Sequence, residues 1–304
     1  MTGSPAVSVV MPMRDAGAFL GAAIESILTQ TFADFELIIV DDGSGDGSRV
    51  WADRYAAADP RIVVLRSPGR GIVAALNHGI SQARGDLIAR MDADDIALPH
   101  RFATQVAALG ARPRVGVVGS NYTAIDTQGK RLRNIVLPAT PEAVRERLVA
   151  GNCIAHPTVM MRRDAVLAAG LYRADFPLCE DYDLWLRLSA ITDIVNLPEV
   201  LLRYRLHPAQ ATASNLERRL RSEVAAINDA IRRRGGEARP VATEIRDRAM
   251  AAARGAIGEA RRSDAFAALK VAARQGALGP MGALRWARLM WKAALVGTFR
   301  HSCD

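Results

Sequence analysis

Met91-Asp92-Ala93-Asp94-Asp95 comes just after the apolar run Leu87-Ile88-Ala89 and sets three carboxylates within four residues. A strand that ends in several acids is building a site, because clustered like charges are destabilising unless a cation or hydrogen-bond donors neutralise them. The Asp92-x-Asp94 spacing lets both carboxylates approach one divalent metal and the phosphates that metal carries. Standing alone, such a triplet is more often a solvated turn. The pattern on either side reverses that reading.

Upstream, Val7-Ser8-Val9-Val10-Met11 closes at Pro12 and reads as a first buried strand. Residues 18–28 place Leu20, Ile24, Ile27 and Leu28 on one helical face. Phe35-Glu36-Leu37-Ile38-Ile39-Val40 is a second strand, stopped by Asp41-Asp42-Gly43-Ser44. A helix over 48–58 is entered through a Gly/Ser/Asp turn that supplies caps. Residues 61–65 form a third strand, 72–83 a helix closed by Gly85, and 86–91 a fourth strand. Strands alternating with helices, and apolar on both faces, predict an α/β fold: a mostly parallel sheet flanked by helices. Ligands in such sheets bind beyond the carboxyl ends of the strands. Both acidic clusters, Asp41-Asp42 and Asp92 to Asp95, fall at those ends.

Such a pair of tips suits a nucleotide if one acid takes donor groups of base or ribose and the other holds the cation bridging the phosphates. A dinucleotide site of the Gly-x-Gly-x-x-Gly kind is not supported, because Pro12-Met13-Arg14-Asp15-Ala16-Gly17 follows the first strand. A Walker lysine is missing too, which argues against an ATPase or GTPase.

Beyond the acid run the pattern predicts a helix over 99–109, a strand over 114–119 and a hairpin over 121–136 around Asp126-Thr127-Gln128-Gly129-Lys130. A helix over 141–149 and a strand over 155–162 follow. Glu180-Asp181-Tyr182-Asp183-Leu184-Trp185 opens another helix, where acids in the first turn also serve as N-terminal capping. A last extended segment spans 196–204. After His207-Pro208 come Ala/Arg/Leu helices over 216–234, 241–254, 264–275 and 282–295. The expected division is therefore 1–210 for the α/β domain and 211–304 for a C-terminal helical extension. In the last helix Arg285, Arg288 and Lys292 share a face opposite Trp286, Leu289, Met290 and Ala293, a pattern for a membrane surface or for docking on protein.

Composition narrows the class. The chain has 304 residues, half of them apolar, enough to bury a sizeable core. Three cysteines, Cys153, Cys179 and Cys303, lie far apart and indicate neither a disulfide framework nor a zinc site. No signal peptide or spanning helix is expected, which places the protein in the cytoplasm. The net charge of +8 is concentrated beyond residue 205 without any nucleic-acid-binding module. A basic tail facing an anionic membrane or an anionic acceptor fits better, at the inner face of the plasma membrane.

Val9-Val10-Met11-Pro12, Val40 to Ser44, Gly69 to Gly79, Ala83-Arg84-Gly85-Asp86, Met91 to Asp95, Met160 to Arg163 and Glu180-Asp181 together resemble glycosyltransferase family 2 in order and spacing, over roughly residues 5–210. The resemblance implies the GT-A fold and inverting, metal-dependent sugar transfer from a nucleotide-sugar, a UDP-sugar in the common case. It implies that Pro12, Arg14 and Asp15 line the nucleotide pocket, and that Asp41 accepts from the base. Residues 66–70, with Arg70, and Asn77 would lie beside the nucleotide. Asp92 would face the ribose or sugar, and Asp94 would hold Mn²⁺ or Mg²⁺. Asp181 matches the catalytic base, with Glu180 beside it. His207 sits where relatives carry a residue near the metal and diphosphate, and His156 could shape the acceptor pocket or be a satisfied interior histidine. Inversion needs one carboxylate as base and a metal on the leaving group, unlike glycoside hydrolysis with its two flanking carboxyls. Met13-Arg14-Asp15 departs from the commoner aromatic-Asn pair. Single additions in lipopolysaccharide or other polysaccharide assembly, on a saccharide or lipid-linked acceptor, suit the chain better than polymer synthesis. A metal-dependent nucleotidyltransferase and a non-catalytic sugar-nucleotide-binding protein are the alternatives.

Overall fold

The computed structural model describes residues 3–208, 210, 216–238, 240–258, 267–269 and 271–272. Contacts divide the chain into two compact units, residues 1–174 with 180–208, and residues 175–179 with 209–304.

In the first unit the chain runs β1 (Val7–Met13), α1 (Leu20–Leu28), β2 (Phe35–Asp41), α2 (Ser48–Ala58), β3 (Ile62–Arg66), α3 (Ile72–Gln82) and β4 (Leu87–Arg90). Then follow β5 (Ile96–Ala97), α4 (Arg101–Gly110), β6 (Val115–Ile125), β7 (Arg131–Ile135), α5 (Pro141–Ala150), β8 (Met160–Arg162), α6 (Arg163–Ala168), α7 (Glu180–Leu188) and β9 (Asp193–Arg205). The sheet order is β3-β2-β1-β4-β8-β6-β9-β5, with β7 paired to β6. Strands β3, β2, β1 and β4 run parallel, β8 enters antiparallel between β4 and β6, and β6 and β9 are parallel again. The chain winds outward from β1 to β3 and then returns to the other side of β1 for β4. That reversal opens a crevice beyond the carboxyl ends of β1 and β4, where ligands of open α/β sheets bind.

Alternation along β1 assigns its two faces. Val7, Val9, Met11 and Met13 join one apolar core with Leu20, Ile24 and Ile27 of α1 and Phe102 and Leu109 of α4. Val10 points the other way, toward α3. There Gly79 lets the helix lie so close that an added Cβ would stand 2.5 Å from Val10 Cγ1 and 3.2 Å from Val40 Cγ2.

Several elements differ from the sequence reading. The strand expected over 155–162 is confined to β8, because His156-Pro157-Thr158 forms a 3-10 turn, and proline has no N–H for a ladder. The helix expected from Pro99 begins at Arg101, since the Pro99 carbonyl accepts instead from Thr31 N (2.9 Å). The strand expected over 114–119 continues to Ile125, and the chain turns back through Asp126–Lys130 into β7. Neither β5 nor α6 was anticipated; two and six residues are too few to show a period.

The second unit holds α8 (Leu216–Arg233) and α9 (Val241–Gly258). Leu220 and Val224 pack with Ile245, Ala249, Val271 and Ala272. The helix expected over 264–275 is helical where described, at 267–269 and 271–272. The helix expected over 282–295, with its Arg285, Arg288 and Lys292 face, lies outside the described residues, as does Cys303.

Candidate active site

The tips of β1 and β2 are stitched together by their own acids. Pro12 pairs in register with Val40, and Met13 with Asp41. Asp41 is buried and its Oδ1 accepts from Ser44 N (3.0 Å). Asp15 adopts φ 48°, a left-handed conformation that Asp tolerates better than most residues. Its N–H donates to Ser44 Oγ (3.1 Å) and its Oδ1 accepts from Gly45 N (2.7 Å). Both oxygens of Asp42 accept from Gly71 N (3.0 and 2.9 Å), which anchors the loop before α3, while Arg14 Nη1 stands 3.8 Å from Asp42. Arg66 pairs in register with Asp41, and Arg70 is exposed nearby in sequence.

At the tip of β4, Asp92, Asp94 and Asp95 bring one carboxylate oxygen each to within 4.8 Å of one another. Three devices hold them. Asp92 forms an ion pair with Arg90. Asp94 Oδ2 is 2.8 Å from His207 Nε2. Asp95 is fully buried, with Oδ1 accepting from Arg205 N (2.8 Å). Arg205 also donates from Nε to the Asp94 carbonyl (2.8 Å) and from Nη1 to the carbonyls of Asp126 and Thr127 (3.1 and 3.0 Å). Its guanidinium lies 4.6 Å over the Phe19 ring, and the His207 ring is 5.3 Å from the same phenyl. Burial, then the charges of Asp92 and Asp94, push the Asp95 carboxyl well above the ordinary range. Asp95 Oδ2 is buried with no hydrogen-bond partner among the described residues. A hard divalent cation answers this arrangement, because an oxygen-only cluster of clustered charge and one orphaned acceptor fits Mn²⁺ or Mg²⁺.

A second acidic group opens α7, and the structure gives its three acids different partners. Asp183 is fully buried in ion pairs with Arg173 and Arg187, and Arg187 also donates to the carbonyls of Ala169 and Leu171. This network fixes the chain before α7 and faces inward. Asp181 Oδ2 accepts from Asn152 Nδ2 (2.8 Å) and Oδ1 from Tyr182 N (2.7 Å). Burial raises the Asp181 carboxyl, opposed by those two hydrogen bonds and by the Arg90 charge. Burial and then the neighbouring Asp181 push Glu180 up to about 7. Arg90 lowers and Asp92 raises the same carboxyl by smaller amounts.

His156 Nε2 lies 2.8 Å from Tyr172 Oη, and the imidazole packs against the rings of Tyr172 and Trp185. Burial, then Arg90, holds its pKa well below the usual value, so it is neutral at physiological pH. Asn77, expected beside a nucleotide, spends its amide on the main chain of Tyr172: Nδ2 donates to the carbonyl (2.9 Å) and Oδ1 accepts from the N–H (3.0 Å). It ties α3 to the segment ahead of α7.

Sequence reasoning missed Arg90, Asp95, Asp42, Arg205 and Asn152. Asp42 and Asp95 were visible inside the acidic runs but carried no pattern separating them from Asp41 and Asp94. Asn152 and Arg205 act across 29 and 111 residues of sequence, which no local spacing records, and Arg90, paired with Asp92 close by, belongs to no motif.

Residues 8–168 match the sequence model described as Glycosyl transferase family 2. The chain is 34% identical over 215 residues to the O-antigen biosynthesis glycosyltransferase WbnJ of Escherichia coli, covering 69% of this chain and 83% of that protein. In fold it is similar to the mannosyltransferase PcManGT from Pyrobaculum calidifontis, solved with GDP-Man and Mn²⁺ (TM-score 0.60, 20% identity, 96% of this chain and 85% of that one). It is also similar to S. aureus TarS 1–349 solved with UDP-GlcNAc (TM-score 0.63, 16% identity, 96% and 90%).

Proposed function

Because this chain belongs to glycosyl transferase family 2, we propose that it moves a sugar, with inversion, from a nucleotide-diphosphate donor to a hydroxyl of a saccharide or lipid-linked saccharide. The product would enter a cell-surface polysaccharide, in line with the O-antigen role named for its Escherichia coli relative. The neighbours solved with GDP-Man and UDP-GlcNAc support a nucleotide-sugar donor. The observation that carries the reading is the Asp92–Asp94–Asp95 cluster, whose carboxylate oxygens lie within 4.8 Å of one another just beyond the carboxyl end of β4.

Pro12, Arg14 and Asp15 line the nucleotide side, and Asp41 accepts an N–H of the base through the oxygen not used by Ser44. Arg70 supplies positive charge near the nucleotide. Asp92 orients hydroxyls of the ribose or sugar, while Asp94 and His207 are the residues for a divalent cation. When bound, Mn²⁺ or Mg²⁺ there neutralises charge developing on the departing diphosphate. Asp181 accepts the proton of the acceptor hydroxyl, and Asn152 keeps its carboxylate aimed. Glu180, Tyr172 and His156 make the surrounding wall poor in water, which strengthens each charge inside it.

A thermal-shift screen of UDP, GDP and dTDP, each with and without Mn²⁺, tests the donor assignment, since a ligand that binds the native state raises its apparent stability. At least one diphosphate is expected to raise Tm with metal present, and Asp94→Asn to abolish the metal-dependent part. Three flat responses would sink the reading. Asp181→Asn is expected to keep the shift yet lose transfer by about a hundredfold or more, the scale of a missing general base.

A further inference from the structure

We propose that Arg205 is a positioning residue for the cation: its guanidinium fixes the main chain of the acidic run beyond β4, so that the carboxylates can close on one ion. The inference rests on the proposed function, which puts Mn²⁺ or Mg²⁺ at that cluster, and deepens it. Arg205 ends β9 and is 5% exposed, whereas Arg203, two residues back, is exposed. A buried arginine is costly unless its donors and its charge are answered.

Three separate parts of the chain answer this one. Nε donates to the Asp94 carbonyl (2.8 Å). Nη1 donates to the carbonyls of Asp126 and Thr127 (3.1 and 3.0 Å), in the turn between β6 and β7. That turn is closed by its own acid, since Asp126 Oδ1 accepts from Gln128 N (3.0 Å) and Lys130 N (2.9 Å). The guanidinium also lies 4.6 Å over the ring of Phe19, from the 3-10 turn after β1. A planar group with donors in a fixed fork can set the relative placing of such segments, which an ammonium on a flexible stem cannot. Asp94 is thus gripped by its carbonyl, and its carboxylate is left to the cluster and to His207 Nε2 (2.8 Å). The Arg205 N–H takes Asp95 Oδ1 (2.8 Å), leaving the buried Oδ2 as the oxygen with no partner among the described residues. That N–H bond survives any substitution, so a variant at 205 isolates what the guanidinium does.

Charge and geometry make opposite demands here. A fixed positive group beside a cation site repels a divalent cation. If Arg205 only neutralised the acids, it would compete with the metal, and removing it would strengthen metal binding. If it positions them, removing it frees the Asp94 main chain from the 126–130 turn and from Phe19. The carboxylates must then be ordered at the expense of binding, and affinity falls. The sign of the change separates the two roles.

The test is Mn²⁺ binding by the full chain, followed as loss of the free-Mn²⁺ EPR signal, with the metal alone and with UDP or GDP added. Arg205→Met and Arg205→Lys are both expected to weaken Mn²⁺ about tenfold, the usual scale for a residue that orients metal ligands without touching the metal. Gly79→Ala, strained where α3 meets Val10, is expected to bind Mn²⁺ as wild type does, which separates positioning from a general loosening of the fold. Unchanged or tighter binding in either Arg205 variant overturns the proposal, and so does equal weakening in Gly79→Ala. Should neither Arg205 variant fold, Phe19→Leu removes the ring under the guanidinium. It is expected to weaken Mn²⁺ about threefold, the scale of a cation–π contact, and wild-type affinity there overturns the proposal. A wild type that binds no Mn²⁺ under any of these conditions removes the cation site and this inference with it. Variants that match a binding wild type overturn this inference alone.

Discussion

Glu180 shows how much one side chain can report. In the folded chain burial lifts its carboxyl from an ordinary 4.5 to about 7, with the Asp181 charge adding to the effect. The native state therefore binds that proton more tightly than the unfolded chain does. Its contribution to stability is complete below about 4.5 and is lost as pH rises through about 7. Glu180→Gln is neutral at every pH, so it is expected to gain on wild type by a few kcal/mol across that window and to gain nothing further above it. Urea denaturation of both proteins at pH 5, 6, 7 and 8 measures this; a difference that does not change with pH would contradict it. At this scale the aspartates of the 92–95 run were legible because acids at a strand tip are conspicuous. Arg90 was not, because an isolated base in an apolar strand has no spacing to give it away.

Elements were legible where their period was long. The seven residues of β1 and of β2 and the eleven of α3 could be read from apolar pattern alone, whereas β5, with two residues, could not. Close approach between elements leaves a subtler mark. Gly79 is where α3 meets β1 and β2, and an added Cβ there would stand 2.5 Å from Val10 Cγ1. Gly79→Ala is expected to destabilise by about 1–3 kcal/mol, the usual cost of overpacking. Gly110, at the end of α4, has nothing within 4 Å of the same added atom. Gly110→Ala is expected to be neutral or stabilising by up to about 1 kcal/mol, through helix propensity alone. Urea midpoints for the two variants decide the matter, and equal responses would refute the packing argument. In α7 the sequence could not separate capping from chemistry, since Glu180, Asp181 and Asp183 all suit a helix N-terminus. The structure gives them different partners: two arginines for Asp183 and Asn152 for Asp181.

For the molecule as a whole, charge is the property that reaches furthest. Forty Lys and Arg stand against 32 Asp and Glu, and the excess falls mostly after residue 205. No helix among the described residues is long and apolar enough to cross a membrane. Under the proposed function the acceptor is a saccharide that can be carried on a lipid, so contact with an anionic bilayer surface is the expected use of the basic region. Co-sedimentation with phosphatidylglycerol-rich vesicles should be strong at low salt. It should fall as ionic strength rises, because screening shortens from about 10 Å at 0.1 M to about 3 Å at 1 M. Binding that is absent at low salt, or indifferent to salt, would count against this use.

The sequence by itself determined the layered α/β architecture and the placing of acids at strand ends. Apolar periodicity records burial, and a like-charged cluster is recognisable wherever it stands. Only the tertiary structure decided which charges meet. Arg205 reaches back 110 residues to Asp95, Asn152 comes to Asp181 from beyond α5, and Asn77 grips the main chain of Tyr172. Such pairings depend on the sheet order β2-β1-β4-β8, which brings distant segments side by side through hydrogen bonds between backbones that no side-chain pattern encodes.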